Sequence, residues 1–208
     1  EGLAMRMRLL IAGLAMLGLG AGPSDPLLVA PDGATWDLDD VGIYRVGFAY
    51  RGKAEEDFPV GWSGHFDERT GVTLAGDGLR NGRPAVMQHC PWRGGTGVAF
   101  QEFHLQLPRA RKIVLKGATS LREDGVGKSD GVRFRVALDG RPLLDELRAD
   151  ADWKPFEFDL TKQAGKAVVL RFETDPGPKD DSSFDFGLWA GRSIVLDGYK
   201  PQPKEHPA

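Results

Sequence analysis

The clearest pattern in the chain is a run of alternating apolar and polar residues between positions 132 and 138. Its apolar members fall on one face of an extended chain: Val132, Phe134, Val136 and Leu138. Alternation with a period of two is typical of a β-strand with one buried and one exposed face. Asp139-Gly140 follows directly, and this pair predicts a tight hairpin turn, because both turn residues must adopt positive φ. The sequence therefore predicts a β-hairpin with one buried face near the middle of the fold.

Short apolar stripes of the same kind recur on both sides of this hairpin at near-regular spacing. They lie in the ranges 41–50, 58–62, 72–74, 84–89, 98–107, 113–121, 153–160, 168–172, 184–189 and 194–196. Asn81-Gly82 predicts a second hairpin turn. About ten short strands, with no helical periodicity in this region, predict an all-β fold of two antiparallel sheets packed as a sandwich. The lack of strand–helix alternation excludes an α/β enzyme fold.

The stripe at 184–189 carries two residues of functional interest. Strict alternation places Phe184, Phe186 and Leu188 on the inward face. We therefore expect Asp185 and Trp189 to point outward, about 13 Å apart at roughly 3.3 Å per residue. That separation suits the two ends of an extended ligand. Alternatively, Asp185 orients a loop and Trp189 covers the edge of the sandwich.

The N-terminal region differs in composition from the rest of the chain. Arg6 and Arg8 precede an apolar run from Leu9 to Leu19, and small residues follow it. This order predicts a secretory signal peptide in residues 1–24, and hence a secreted or periplasmic protein. The run is shorter than the roughly 20 residues that a membrane-spanning helix needs, so we expect no membrane span after signal removal. The alternative is a buried core helix.

Length, charge and cysteine content narrow the remaining classes. A chain of 208 residues with a net charge of −3 suits one domain, placed at residues 30–200, with a proline-rich tail or linker at 201–208. Basic runs are missing, so nucleic acid is not an expected partner. Cys90 is the single cysteine, so no internal disulfide can form, and its apolar neighbours predict a buried side chain.

Three motifs resemble those of a known family. They are Ser129-Asp130-Gly131-Val132-Arg133-Phe134, the turn Asp139-Gly140, and the late strand Asp185-Phe186-Gly187-Leu188-Trp189. The chain resembles the galactose-binding-like jelly rolls, and most of all the NPCBM-like carbohydrate-binding modules that are appended to bacterial glycoside hydrolases. The resemblance implies a jelly-roll β-sandwich, a polysaccharide or other glycan as ligand, and a glycoside hydrolase domain as partner.

The segment from His89 to Gly95 gathers residues suited to sugar binding. An indole such as Trp92 can stack on the apolar face of a pyranose, while Arg93 and His89 can hydrogen-bond hydroxyls or a uronate. Gly94 and Gly95 let a ligand approach the backbone closely. The alternative is a buried corner, in which His89 bridges backbone groups and Trp92 fills the sandwich.

Two loops, before the central strand and after 168–172, are rich in acidic residues. They carry Asp124 and Asp130, then Glu173, Asp175, Asp180 and Asp181. Oxygen ligands of this kind bind Ca²⁺, which takes about 6–8 of them. The predicted ligands of a structural Ca²⁺ ion are Asp124, Asp130, Glu173 and Asp175, and the jelly-roll resemblance points the same way. The alternative is that the loops are simply solvated, and we expect no other cofactor.

Motifs for catalysis are missing from the sequence. The histidines His65, His89, His104 and His206 lack a metal-ligand spacing such as HExxH, and no G-x-S-x-G elbow occurs. Nothing ties two carboxylates to one cleft, as glycoside hydrolysis would require. We therefore expect a binding protein rather than an enzyme.

The leading hypothesis is a secreted, non-catalytic module that binds carbohydrate or tethers a hydrolase to it. The predicted stacking rings are Trp92, Trp153 and Trp189, and the predicted polar partners are His89, Arg93, Asp130 and Asp185. One alternative is a structural or protein-interaction β-sandwich of a secreted hydrolase or envelope protein. Another is a hydrolase or lyase that uses His89 or His65.

Overall fold

The computed structural model describes residues 33–39, 43, 45–59, 62, 64–76 and 78–200. The predicted signal peptide at 1–24 and the predicted tail at 201–208 lie outside the described residues. Fourteen strands and two short 3₁₀ helices make up the regular structure of the described part. No helix in these ranges is long and apolar enough to cross a membrane.

The strands are short in the first half of the chain and long in the second. In chain order they are β1 (Thr35–Asp37), β2 (Arg45–Tyr50), β3 (Glu56–Asp57), β4 (Thr73–Ala75), β5 (Leu79–Arg80), β6 (Arg83–Pro84), β7 (Val86–His89), β8 (Gly97–Gln106), β9 (Lys112–Leu121), β10 (Val132–Leu138), β11 (Arg141–Arg148), β12 (Lys154–Asp159), β13 (Ala167–Asp175) and β14 (Gly187–Asp197). The 3₁₀ helices are Glu123–Gly125 and Thr161–Gln163.

Two six-stranded sheets carry the fold. Sheet A has the strand order β11-β10-β13-β8-β2-β3. Sheet B has the order β12-β9-β14-β7-β4, and β1 pairs with β14. Strands β5 and β6 form a separate two-stranded hairpin. The predicted all-β sandwich is confirmed.

The predicted central hairpin is confirmed residue by residue. Strand β10 pairs with β11 across a turn in which Asp139 has a φ of 49° and Gly140 a φ of 74°. The apolar face of β10 is buried, as the alternation requires. At the second predicted turn, Asn81 and Gly82 have φ values of 44° and 75° and join β5 to β6.

Trp189 on β14 is fully buried at the centre of the core. Its indole meets Phe134 and Phe172 of sheet A edge to face, at centroid distances of 4.8 and 5.2 Å. Phe156 of sheet B approaches it in the same way at 6.4 Å. Contacts of this geometry add about 0.5–1.5 kcal/mol each beyond the area that they bury. The ring therefore ties the two sheets together.

The prediction that Asp185 and Trp189 point outward is wrong, because both are fully buried. Strand β14 begins only at Gly187, after a turn in which Phe184 has a φ of 62° and is 43% exposed. Leu188 lies on the opposite face of the strand from Trp189 and is buried as well. Its neighbours there are Ala75, Met87, Trp153 and Phe186. A strand that is buried on both faces shows no useful alternation, so its orientation could not be inferred.

Charged side chains cover the outer face of sheet A. Arg135 on β10 lies 2.7 Å from Glu173 on β13. Arg171 binds the same Glu173 at 3.0 Å and Glu102 on β8 at 3.1 Å. Glu102 in turn lies 2.9 Å from Arg45 on β2. We call this row of alternating charges the charge ladder.

A β-bulge interrupts β14 after Ala190. Gly191 and Arg192 stand opposite the single Gly117 of β9, and regular pairing resumes at Ser193. Gly191 has a φ of 59°, a region that glycine adopts without steric cost. The extra residue turns the Arg192 side chain into the interior, where it is 1% exposed.

Trp189→Ala is expected to lower the free energy of unfolding by about 3–5 kcal/mol, because it removes the ring at the centre of the core. Trp92→Ala, at a ring that is 48% exposed, is the matched control and should cost about 1 kcal/mol or less. Urea denaturation followed by circular dichroism measures both values. Equal losses in the two variants would contradict this description of the core.

Candidate functional site

Trp92 lies in the loop between β7 and β8, with 48% of its surface exposed. The N–H groups of Trp92 and Arg93 both donate to the Thr70 carbonyl oxygen at 2.9 Å. The indole lies across Gly71, where a β-carbon would come within 2.3 Å of the indole Nε1. Glycine alone leaves that space, and its φ of 78° also favours glycine. The ring is thus exposed but held in one position.

Arg93 and Phe66 stand beside this indole. The Arg93 guanidinium lies 4.7 Å from the ring centroid of Trp92 and 5.1 Å from that of Phe66. Its Nη1 donates to the Glu68 carboxylate at 2.5 Å and to the Glu68 carbonyl oxygen at 2.7 Å. Phe66 is 40% exposed, and its centroid lies 6.4 Å from that of Trp92. We refer to Phe66, Trp92 and Arg93 as the aromatic platform.

The turn that follows Phe66 is built by Asp67. Its Oδ2 accepts the N–H of Thr70 at 2.8 Å and the hydroxyl of Thr70 at 2.6 Å. Sequence reasoning missed Phe66, because its approach to Trp92 depends on the docking of residues 66–71 against the β7–β8 loop. The available signal was an aromatic residue directly before a polar turn, with no strand to bury it.

His89 is placed differently from its neighbours in the same loop. It is buried, with Nδ1 2.7 Å from the Cys90 carbonyl oxygen and its ring centroid 5.3 Å from that of Phe186. Burial lowers the pKa of His89 below its usual range. The prediction that His89 contacts a ligand at the surface is wrong, because its ring sits in a buried corner. Cys90 is buried as expected, and burial raises the pKa of its thiol.

The Ser129-Asp130-Gly131 motif builds a turn rather than a sugar site. The Ser129 hydroxyl donates to Asp185 at 2.5 Å and accepts the Gly131 N–H at 2.8 Å. Asp130 accepts the N–H of Lys179 at 2.8 Å, which fastens the loop after β13. Asp185 is fully buried. Asp130 and Asp185 therefore hold two loops together, and the prediction that Asp185 is a polar partner of a surface sugar is wrong.

The other two predicted stacking rings do not join the aromatic platform. Trp189 is fully buried, so it cannot stack on a ligand, and that prediction is wrong. Trp153 is partly buried just before β12, and its indole Nε1 donates to the Asn81 carbonyl oxygen at 2.9 Å. The Arg83 guanidinium lies 5.1 Å from its ring centroid. Trp153 thus fastens the β5–β6 hairpin to sheet B.

The four predicted Ca²⁺ ligands are not brought together. Asp124 pairs with Arg122 at 2.5 Å. Glu173 and Asp175 both pair with Arg135, at 2.7 and 2.8 Å. In the part of the chain that the structure describes, no group of three His, Cys, Asp or Glu side chains is arranged to hold a metal ion. The predicted ligand set is not assembled, because arginines neutralise Asp124, Glu173 and Asp175, while Asp130 accepts the Lys179 N–H.

Sequence comparison gives little information on function. No protein-family profile matches the chain. Over an alignment of 72 positions, a stretch that covers 30% of the chain is 46% identical to a protein of Archaeoglobus fulgidus that is described as uncharacterized. That stretch covers 18% of the relative, so the chain spans less than a fifth of the curated protein that it matches.

Solved structures that align with this chain include carbohydrate-binding modules. The tandem CBM51 modules of the family 98 glycoside hydrolase from Streptococcus pneumoniae align with a TM-score of 0.50 and 10% identity, over 82% of this chain and 51% of that one. A CBM51 from Clostridium perfringens, solved with methyl-galactose, gives a TM-score of 0.49 and 15% identity, over 77% of this chain and 99% of that one. A xylan-binding domain of the CBM22 type aligns with a TM-score of 0.40 and 13% identity, over 78% of this chain and 99% of that one. The likeness to the tandem modules confirms the predicted β-sandwich fold.

The buried Asp185 predicts a pH dependence of stability. Burial, together with the nearby charges of Asp130 and Asp181, raises the pKa of Asp185 from its ordinary 3.8 to about 7. The folded chain therefore holds this proton more tightly than the unfolded chain does. As pH rises from about 4 to about 7, ionisation of Asp185 lowers the free energy of unfolding by at most about 1.4 kcal/mol per pH unit.

Asp185→Asn keeps an oxygen acceptor for Ser129 and removes the ionisation. We expect the variant to gain stability relative to the parent chain as pH rises between about 5 and 8. Comparing the two chains at each pH cancels the opposite contribution of His89, whose lowered pKa makes stability rise with pH. Urea denaturation across this range measures the difference, with the exposed Asp152→Asn as control. A difference that does not change with pH would argue against a buried, protonated Asp185.

Proposed function

We propose that this chain is a carbohydrate-binding module that holds a glycan on the aromatic platform. The observation that carries the proposal is an exposed Trp92 indole, fixed on Gly71 and flanked by Phe66 and Arg93. A sugar ring presents a face of C–H groups, which packs on aromatic rings, and a rim of hydroxyls, which hydrogen-bond to polar groups. The platform offers partners for both parts.

Arg93 would set the orientation of the sugar on this surface. Its side chain is 37% exposed, and Glu68 fixes the guanidinium beside the Trp92 ring. The N–H groups that Glu68 does not occupy can donate to hydroxyl oxygens or to the carboxylate of a uronate. Because Trp92 and Arg93 are already held in place, binding immobilises few side chains and loses little conformational entropy.

The likeness in fold agrees with this function, although the site carries the argument. The tandem CBM51 modules with the same fold belong to a glycoside hydrolase. We infer that this chain, with its predicted signal peptide, is secreted or periplasmic, and that it tethers a hydrolase to its polysaccharide. The module itself would bind sugar and take no part in bond cleavage.

The alternative of a protein-interaction module requires a continuous apolar outer surface. In the described ranges, the exposed large apolar side chains other than Phe66 and Trp92 stand on separate elements. They are Ile43, Leu79, Val126, Leu147 and Phe184. A hydrolase based on His89 is not favoured either, because that side chain is buried.

The folded domain is expected to bind at least one class of glycan on an array. Trp92→Ala should then weaken binding at least about tenfold in calorimetry, equivalent to about 1.4 kcal/mol, because it removes the stacking surface. Phe66→Ala should weaken binding less, since Phe66 only flanks that ring. Phe184→Ala removes a ring of similar exposure, 43%, from a different loop and should leave binding unchanged. A folded domain that binds no glycan class would overturn the proposal.

A further inference from the structure

A cavity of about 550 Å³ lies beside the β14 bulge, between residues of both sheets. This volume falls in the range of about 300–1,000 Å³ that is usual for small-molecule sites. Its polar lining consists of Asp37, Asp39, Arg83, Gln101 and Arg192. No residue of the aromatic platform contributes to it.

Arg192 is held rigidly in the wall of this cavity. Its guanidinium donates to Gln101 Oε1 at 3.2 Å and, through Nε and Nη2, to Asp39. Gln101 donates to Gln88 at 2.5 Å, and Gln88 donates to the Ala99 carbonyl oxygen at 2.7 Å. Each amide in this relay has its oxygen and nitrogen fixed by its partners. The relay therefore fixes the plane of the guanidinium.

The protein does not use every donor of this guanidinium. Each terminal nitrogen carries two N–H groups. Among the described residues, one N–H on Nη1 and one on Nη2 have no protein acceptor. A buried donor without an acceptor costs free energy. Because Arg192 lines the cavity, oxygen atoms of a ligand bound there would satisfy these donors.

Among the lining residues that the structure describes, the formal charges cancel one another. Asp37 and Asp39 carry two negative charges, and Arg83 and Arg192 carry two positive charges. An anionic ligand would face the carboxylates, and a cationic ligand would face the guanidiniums. A neutral ligand faces neither penalty. The rest of the wall is apolar and includes Ile43, Leu74 and Val86.

We propose that this cavity is a second ligand site, which binds one neutral sugar residue through two adjacent hydroxyl groups. The hydroxyl oxygens accept the free N–H groups of Arg192, and the hydroxyl protons are donated to Asp37 and Asp39. The C–H groups of the sugar pack against the apolar wall. The choice of a sugar rests on the proposed function, whereas the location and the neutral charge of the ligand rest on the cavity alone.

Titration with galactose, galacturonate and galactosamine tests the proposal, because these ligands differ mainly in charge. Amide chemical shifts in NMR spectra detect weak binding and report its location. We expect galactose to shift the amides of Ile43, Gly191 and Arg192. Galacturonate and galactosamine should bind at least about tenfold more weakly.

Two exposed lining residues allow the charge of the cavity to be changed without removing Arg192. Asp37→Asn keeps an oxygen acceptor for the Asp39 N–H, which lies at 2.9 Å, and makes the lining positive. This substitution should increase the affinity for galacturonate, relative to that for galactose, at least about threefold. Arg83→Gln makes the lining negative and should improve galactosamine by a similar factor. Asp124→Asn, a surface substitution outside the cavity, is the matched control and should change neither ratio.

The outcomes separate this site from the aromatic platform. Galactose binding whose charge preference does not respond to Asp37→Asn and Arg83→Gln would overturn the cavity site, as would the lack of any monosaccharide binding by the folded chain. Loss of glycan-array binding in Trp92→Ala, with cavity shifts retained, would support both sites. Loss of both the glycan-array binding and the cavity amide shifts in Trp92→Ala would overturn the cavity site and leave the proposed function standing. If the parent chain binds galactose in the cavity but binds no glycan on the array, the proposal that the aromatic platform binds glycans would be overturned instead.

Discussion

The fold depends on the indole of Trp189, which is buried between the two sheets. Trp189 is surrounded by phenylalanine rings from both sheets, so its position fixes how the sheets lie against each other. Strand β14 must therefore run through the centre of sheet B with both of its faces covered. The loop that leads into it has to turn sharply before Gly187, which buries Asp185 and exposes Phe184. The packing of one side chain thus sets the strand boundary and the chemistry of the adjoining loop.

Local sequence patterns predicted the fold well for strands that have one face exposed to solvent. The alternation of β10 and the turn at Asp139 were predictable, because local sequence decides both. The orientation of β14 was not, since apolar residues occupy both of its faces. Within the site, the loop sequence identified Trp92 and Arg93 as candidate ligand contacts. It did not show that His89, in the same loop, is buried away from them. Phe66 was missed because its contact with Trp92 joins segments that are distant in the chain.

Motif resemblance gave the right fold but pointed to the wrong chemical roles. The Ser129-Asp130-Gly131 motif and Asp185 interlock as structural parts, with a hydroxyl joining two loops. Recurrent polar residues in such a sandwich can therefore reflect how its loops are fastened. The groups that we propose as ligand contacts come from less regular stretches, namely the exposed loop around Trp92 and the β14 bulge that turns Arg192 inward. A bulge is a matter of register between two strands, so the inward turn of Arg192 left no trace in the sequence pattern.

The charge ladder on sheet A affects how the domain would respond to heating. The cost of removing charged groups from water falls as temperature rises, while stabilisation by apolar burial levels off. Glu102 is nearly buried between Arg45 and Arg171, and Glu173 links Arg171 to Arg135, so the pairs form one connected network. As temperature rises, the contribution of such a network to stability increases more than that of isolated surface pairs. Because both sheets share one core, this network on sheet A would support the whole sandwich more strongly as temperature rises.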